Sequence, residues 1–357
     1  MTAVPEDLAT ARQQFADAAT CAGARRISSP IDAAAADGSP LTIEVAIVGS
    51  ETPDRALVVL SGVHGVEAPI GAAIQCAALE RCSSAALGRT AVVFVHGVNP
   101  WGWAWSRRQN EHNIDLNRNW RRSSHDPEPN PNYDELHPLA CPDADELPDA
   151  DAMLEAAGAL IATRGAAWLR DAITGGQYRH ADGLHYGGRE TEASNRALER
   201  ILADHLSDVE QLLTVDLHTG HGPYGEVTML SAWAPSTAED GRLRAIFPDH
   251  HIDATVDNPN ATTGLKQGQI ANGFAASLPS ADALAITVEF GTADDIEQLV
   301  ATYHEQWVYR RGDRARPDHA AAVERYRRCF TPDDPDWVVT ALADGRIVFD
   351  HALAAVT

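Results

Sequence analysis

Lysine is all but missing from this 357-residue chain: Lys266 is the only one, and arginine supplies the remaining strongly basic side chains. The 28 lysines and arginines face 51 aspartates and glutamates, for a formal net charge of −23 and a sequence pI near 4.9. A chain so short of positive charge excludes nucleic acid and anionic membranes as expected partners, because binding phosphate needs a basic surface. Cysteine is scarce as well. The five thiols (Cys21, Cys76, Cys82, Cys141 and Cys329) are odd in number, irregularly spaced and form no CxxC pair. That pattern argues against a disulfide frame and against a thiolate zinc site. No apolar run approaches the roughly 18 residues of a membrane span. The opening stretch, MTAVPEDLATARQQF, has neither a basic n-region nor an apolar h-region, so the expectation is a cytoplasmic protein without a signal peptide. Also absent are the GxSxG elbow, the GxxxxGK[ST] phosphate loop and the HExxH zinc helix, which removes three common routes to hydrolysis and phosphoryl transfer.

What is present reads as an α/β protein. RALVVLSG (55–62) and TAVVFVHG (90–97) are apolar, β-branched runs of the kind found in strands covered on both faces. Between them PIGAAIQCAALERC (69–82) has helical composition, with Pro69 suited to a first turn. Strand, helix, strand is the signature of a parallel sheet. LTIEVAIVG (41–49) alternates as a half-buried strand does, and QLLTVDLHTG (211–220), VTML (227–230) and ALAITVEFG (283–291) predict further strands. Helices are expected at 5–22, 151–172 and 192–207, and in most of 293–355. Residues 123–150, rich in Pro, Asp and Asn, predict a long polar loop. No linker divides two cores, so one domain spanning 1–357 is expected.

Three strand ends carry chemistry-bearing side chains: His64 and Glu67 after the first, His218 at the second, Glu289 at the third. In open α/β sheets ligands bind beyond the carboxyl ends of the strands. If these strands are parallel neighbours, the four groups converge. Two histidine nitrogens and a carboxylate make a three-ligand zinc set with a fourth position open for water, whose pKa zinc lowers to about 7. Glu289 would then be the free carboxylate that moves the proton.

The segment NPWGWAWSRRQNEHNIDLNRNW (99–120) adds a polar run beside apolar strands. With SGVHGVEAPIGAAIQ, GQYRHADGLHYGG, DLHTGHGPYG and VEFGT, it resembles the DUF2817 family, a branch of the clan of M14 zinc carboxypeptidases and aspartoacylase-like deacylases. The resemblance implies a three-layer α/β/α fold around a mixed, largely parallel twisted sheet, and one Zn2+ ion. It implies His64, Glu67 and His218 as metal ligands and Glu289 as general acid/base. Asn117 and Arg118 match the pair that holds a substrate carboxylate, and Asp115 the acid that orients the first zinc histidine. One of Arg107 and Arg108 matches the oxyanion-stabilising arginine, with Arg108 preferred. The tyrosine that many M14 carboxypeptidases place some twenty residues before the catalytic glutamate is absent: TTGLKQGQIANG stands there. Tyr178, His185, Tyr186 and Tyr224 are therefore candidate substrate contacts. The implied function is a zinc-dependent hydrolase of an amide next to a carboxylate, acting on a short peptide or a small molecule. Two alternatives are an N-acyl amino acid deacylase and a zinc-holding binding protein without turnover.

Overall fold

A computed structural model describes residues 3–82, 84–120, 129–256 and 266–357. Among these, eight strands form one sheet: β1 (Arg25–Ala34), β2 (Pro40–Gly49), β3 (Arg55–Ser61), β4 (Thr90–His96), β5 (Gln211–Gly220), β6 (Val227–Ser231), β7 (His251–Ala254) and β8 (Asp282–Gly291). Their order is β1-β2-β4-β3-β5-β8-β6-β7. The central four, β4, β3, β5 and β8, run parallel, whereas β2 is antiparallel to β4 and β6 to β8.

The alternation of side chains along each central strand feeds two cores. Leu57 and Val59 of β3 join Phe94, Val215 and Ile286 under helices Leu8–Cys21, Ala68–Leu79 and Pro335–Val356. Val58 and Leu60 join Val93, Val95 and Leu212 under helices Ala193–His205 and Ile270–Ser277. Strands apolar on both faces need helices on both faces, and the three-layer α/β/α architecture is the result. None of the helices of the described residues is long and apolar enough to cross a membrane.

Local expectations are corrected in four places. The stretch 123–150 is not all loop: Pro131–Ala140 is a helix, capped by the Asn130 side chain on the Tyr133 N–H, and 121–128 lie outside the described residues. The helix expected over 151–172 is two helices, Ala150–Arg164 and Ala166–Thr174, broken at Gly165 with φ +90°. β1 escaped notice because it is a largely exposed edge strand, whose register shifts beyond Pro30, so it lacks the apolar signal of a core strand. β7 is only four residues long.

Candidate functional site

β3 ends at Ser61 and the chain turns through Gly62, whose φ of +68° favours glycine. A single 3-10 turn, Gly65–Glu67, follows and leads into helix Ala68–Leu79. The turn places His64 and Glu67 on one side. Gly65 is required by close packing: a Cβ there would lie 2.0 Å from the backbone carbonyl carbon of Gly102, in helix Pro100–Ala104. The glycines around His64 thus serve the turn and the approach of a neighbouring backbone.

His218 comes from the end of β5, hydrogen-bonded in parallel to β3. The two histidines and the glutamate meet, all buried. His64 Nδ1 is 2.8 Å from Glu67 Oε1, His218 Nδ1 is 2.8 Å from Glu67 Oε2, and the two Nδ1 atoms are 3.0 Å apart. The outer nitrogens face carboxylates: His64 Nε2 lies 3.3 Å from Asp115 Oδ1, and His218 Nε2 lies 2.8 Å from Asp216 Oδ2. The two Nδ1 atoms share protons with Glu67, and a carboxylate behind each ring would favour the Nε2–H tautomer once an ion took the Nδ1 lone pairs. That donor chemistry, two imidazole nitrogens and one carboxylate, fits a divalent transition metal, zinc above all.

The electrostatics agree. Burial opposes ionisation of Glu67, but the charge of His64 and hydrogen bonds from His218 and His64 hold its carboxyl well below the usual range. Burial likewise disfavours charge on His218, yet Asp216 and Glu67 raise it well above the ordinary value for histidine.

Glu289 stands directly across from His218 in the β5–β8 register. It shares the wall of a cavity of about 440 Å³ with His64, Glu67, Arg108, Arg118 and His185. The His221 N–H donates to its Oε2 at 3.5 Å.

The two arginines separate cleanly. Arg108 lines the cavity, donating from Nε to Asp115 Oδ2 at 3.0 Å and from Nη1 to Glu67 Oε1 at 3.4 Å. Arg107 points the other way into a buried cage: it pairs with Glu305 at 2.8 Å, donates to Gln306 and Asn113, and stacks 3.5 Å over the Tyr309 ring. The chain bends at Arg108, so the two neighbours diverge, and Arg107 lies in this cage and not in the cavity wall. Asp115 caps the turn Leu116–Arg118 by accepting the Asn117 N–H, and His185 Nδ1 lies 3.1 Å from its Oδ2. Burial works against its charge, but Arg108, Arg118 and His64 hold its carboxyl well below the usual range.

Asn117 and Arg118 line the cavity, and both are partly committed. Asn117 Oδ1 accepts the Ile270 N–H, and Arg118 donates to the carbonyl oxygens of Thr174 and Asn117. Of the four candidate substrate contacts, the cavity wall includes only His185, at φ +49°. Burial pushes its imidazole down to about 3, so it is neutral. Tyr178 donates its hydroxyl to the Arg118 carbonyl, and Tyr186 accepts the Asp115 N–H on its own carbonyl. They clamp the 115–119 turn from behind. Tyr224 is 55% exposed and donates to Asp334, away from the cavity.

Asp216 is the site residue that motif reading passed over. Its signal was the DxH spacing in VDLHTG, since residues two apart on a strand share a face. Two other groupings, His137/His180/Asp182 and Glu111/His112/Glu192, have ligand-like spacing. In the first, Arg310 already neutralises Asp182, and the second lies near the surface.

The family described as "Protein of unknown function (DUF2817)" matches residues 6–344. No curated protein matches the chain. Among solved structures, a metallo-carboxypeptidase from Burkholderia cenocepacia is 14% identical with a TM-score of 0.49, covering 99% of this chain and 69% of that one. Carboxypeptidase A from Helicoverpa armigera is 11% identical with a TM-score of 0.49, covering 92% and 74%.

Proposed function

The chain belongs to the DUF2817 family, and from that premise and the geometry of its site we propose that it is a zinc-dependent hydrolase of amide bonds beside a carboxylate. The observation that carries this reading is the convergence of His64 Nδ1, Glu67 and His218 Nδ1 beside Glu289 at the ends of adjacent parallel strands.

His64, Glu67 and His218 would hold the ion. When bound, zinc supplies Lewis-acid polarisation and a water acidic enough to react near neutral pH. Glu289 takes the proton of the attacking water and returns it to the leaving amine. Arg108, fixed by Asp115, points its guanidinium into the cavity, where it stabilises the oxyanion that develops on the substrate carbonyl. Asn117 and Arg118 contribute to the seat of the substrate carboxylate. The cavity of about 440 Å³ is at the small end of ligand sites. That size favours an N-acyl amino acid or a dipeptide over a long peptide, and a screen of both classes separates a deacylase from a carboxypeptidase.

The test is elemental analysis of the purified protein followed by hydrolysis assays on wild type and Glu289→Gln. The expected result is one zinc ion in both proteins and a loss of hydrolysis in the variant of roughly 100-fold or more. Undiminished turnover after chelation would sink the proposal, as would a fully active variant.

A further inference from the structure

The wall of the cavity includes a cation that no hydrogen bond or ion pair holds among the described residues. Arg108 already has two carboxylate partners, Asp115 and Glu67. Arg118 gives three of its N–H groups to backbone carbonyls, and its nearest carboxylate, Asp115, is 4.0 Å away. Lys266 also lines the cavity, and no hydrogen bond or ion pair ties its ammonium to a described residue. Burial and the neighbouring Arg118 pull it down to about 8, with Glu289 opposing. A half-buried ammonium whose attraction to Glu289 is not completed by a direct ion pair is stabilised when a ligand brings an anion into contact with it.

Its position is built rather than incidental. Gly268 takes φ +70°, and a Cβ there would lie 2.4 Å from the Arg118 carbonyl oxygen. The Trp120 N–H donates to the Gly268 carbonyl, and the Ile270 N–H to Asn117 Oδ1. The Lys266–Ile270 segment is therefore pinned to the turn that carries Asn117 and Arg118. Another part of the wall is apolar: Ile161, Leu169, Ile173 and Leu299.

We propose that Lys266 is the specificity-determining cation of this site. It seats a substrate carboxylate together with the unpaired amide of Asn117 and the remaining N–H edge of Arg118, while an apolar substrate side chain lies against Leu169 and Ile173. The substrate class is then an amide of an amino acid with an aliphatic or aromatic side chain and a free carboxylate. This deepens the hydrolase reading and rests on it for the identity of the cavity. The three cationic or amide groups come from two segments locked to each other, so the seat keeps its shape when empty.

The experiment measures binding by calorimetry on the zinc-loaded Glu289→Gln protein, which holds substrates without turning them over. The probes are N-acetyl-L-leucine, its neutral carboxamide and N-acetylglycine. Adding Lys266→Met is expected to weaken the leucine probe by about tenfold or more, the scale of a lost charge-assisted hydrogen bond. Lys266→Arg should restore most of that affinity, and the carboxamide should bind alike with and without Lys266. N-acetylglycine should bind more weakly than the leucine probe. Equal carboxylate affinity in Lys266→Met overturns the proposal, and so does an equal loss for carboxylate and carboxamide, or no binding of any probe to the parent. The hydrolase reading is judged separately: if wild type hydrolyses no amide while carboxylate binding still depends on Lys266, that reading falls and the seat stands. If amides are hydrolysed with a KM indifferent to Lys266→Met, the seat falls and the reading stands.

Discussion

Asp216 lies outside the cavity wall, behind His218. Its carboxylate forms an ion pair with His218, Oδ2 to Nε2 at 2.8 Å, and no hydrogen bond satisfies its oxygens among the described residues. Asp216→Asn keeps the shape but removes the charge that would favour the proton on Nε2 once an ion took the Nδ1 lone pair. Metal affinity is expected to fall by about 10- to 100-fold, the usual cost of losing such a support, with little change in melting temperature. Competition with a chromophoric chelator measures it; an unchanged affinity would show that His218 needs no such support. Arg107 and Arg108 make the complementary point. In sequence they are indistinguishable neighbours, and only the packing of Glu305, Gln306 and Tyr309 around Arg107 tells them apart.

At the scale of elements, the site depends on a close contact between two short segments. Gly65 lets the turn bearing His64 and Glu67 lie against helix Pro100–Ala104, which a methyl group at 2.0 Å would prevent. Gly65→Ala should shift that turn, lower thermal stability by a few kcal/mol in the manner of overpacked sites, and weaken metal binding at the triad. Circular dichroism melting with metal analysis checks both, and a variant with unchanged metal content would refute the packing account. The elements legible in advance were those buried on both faces: β3, β4, β5 and β8 are continuous apolar runs bounded by glycine or polar residues. The helix Pro131–Ala140 was hidden because Pro131 and Pro138 read as breakers, although Pro131 suits a first turn and the helix runs through Pro138. β1 was hidden by exposure. Pattern reading detects burial, so elements that bury little leave little trace.

The whole molecule carries a pH dependence that is not confined to the site. His96, at the end of β4, stacks on Phe15 and donates from Nδ1 to Gln75 Oε1, whose amide nitrogen is committed to the carbonyls of Val59 and Val95. Its Nε2 is buried without a partner, and burial with the nearby charge of Arg12 pushes the imidazole down to about 3. A histidine kept neutral in the fold contributes stability above its unfolded pKa and loses it as the pH falls. Between about pH 6.5 and pH 3 the unfolded chain binds a proton that the fold refuses, at about 1.4 kcal/mol per pH unit. Urea unfolding should therefore show stability declining through this window. His96→Met should flatten the slope by about one proton; an unaltered slope would rule His96 out as its source.

The amino-acid sequence by itself determined the chemistry available. HxxE on a tight turn, DxH on a strand and a late strand glutamate are local patterns, governed by backbone geometry within a few residues. It also determined that the central strands must be covered on both faces, because their apolar residues leave no solvent side. Tertiary structure alone decided which of these groups meet. His64 and His218 are 154 residues apart, and only the sheet order β4-β3-β5-β8 brings their Nδ1 atoms within 3.0 Å. It likewise decided that Arg107 turns inward, that Tyr224 stays outside, and that the one lysine of the chain comes to line the same cavity as Glu289. Such outcomes depend on packing between distant segments, where the free energy of burying or pairing a side chain is set by neighbours that no short window of sequence contains.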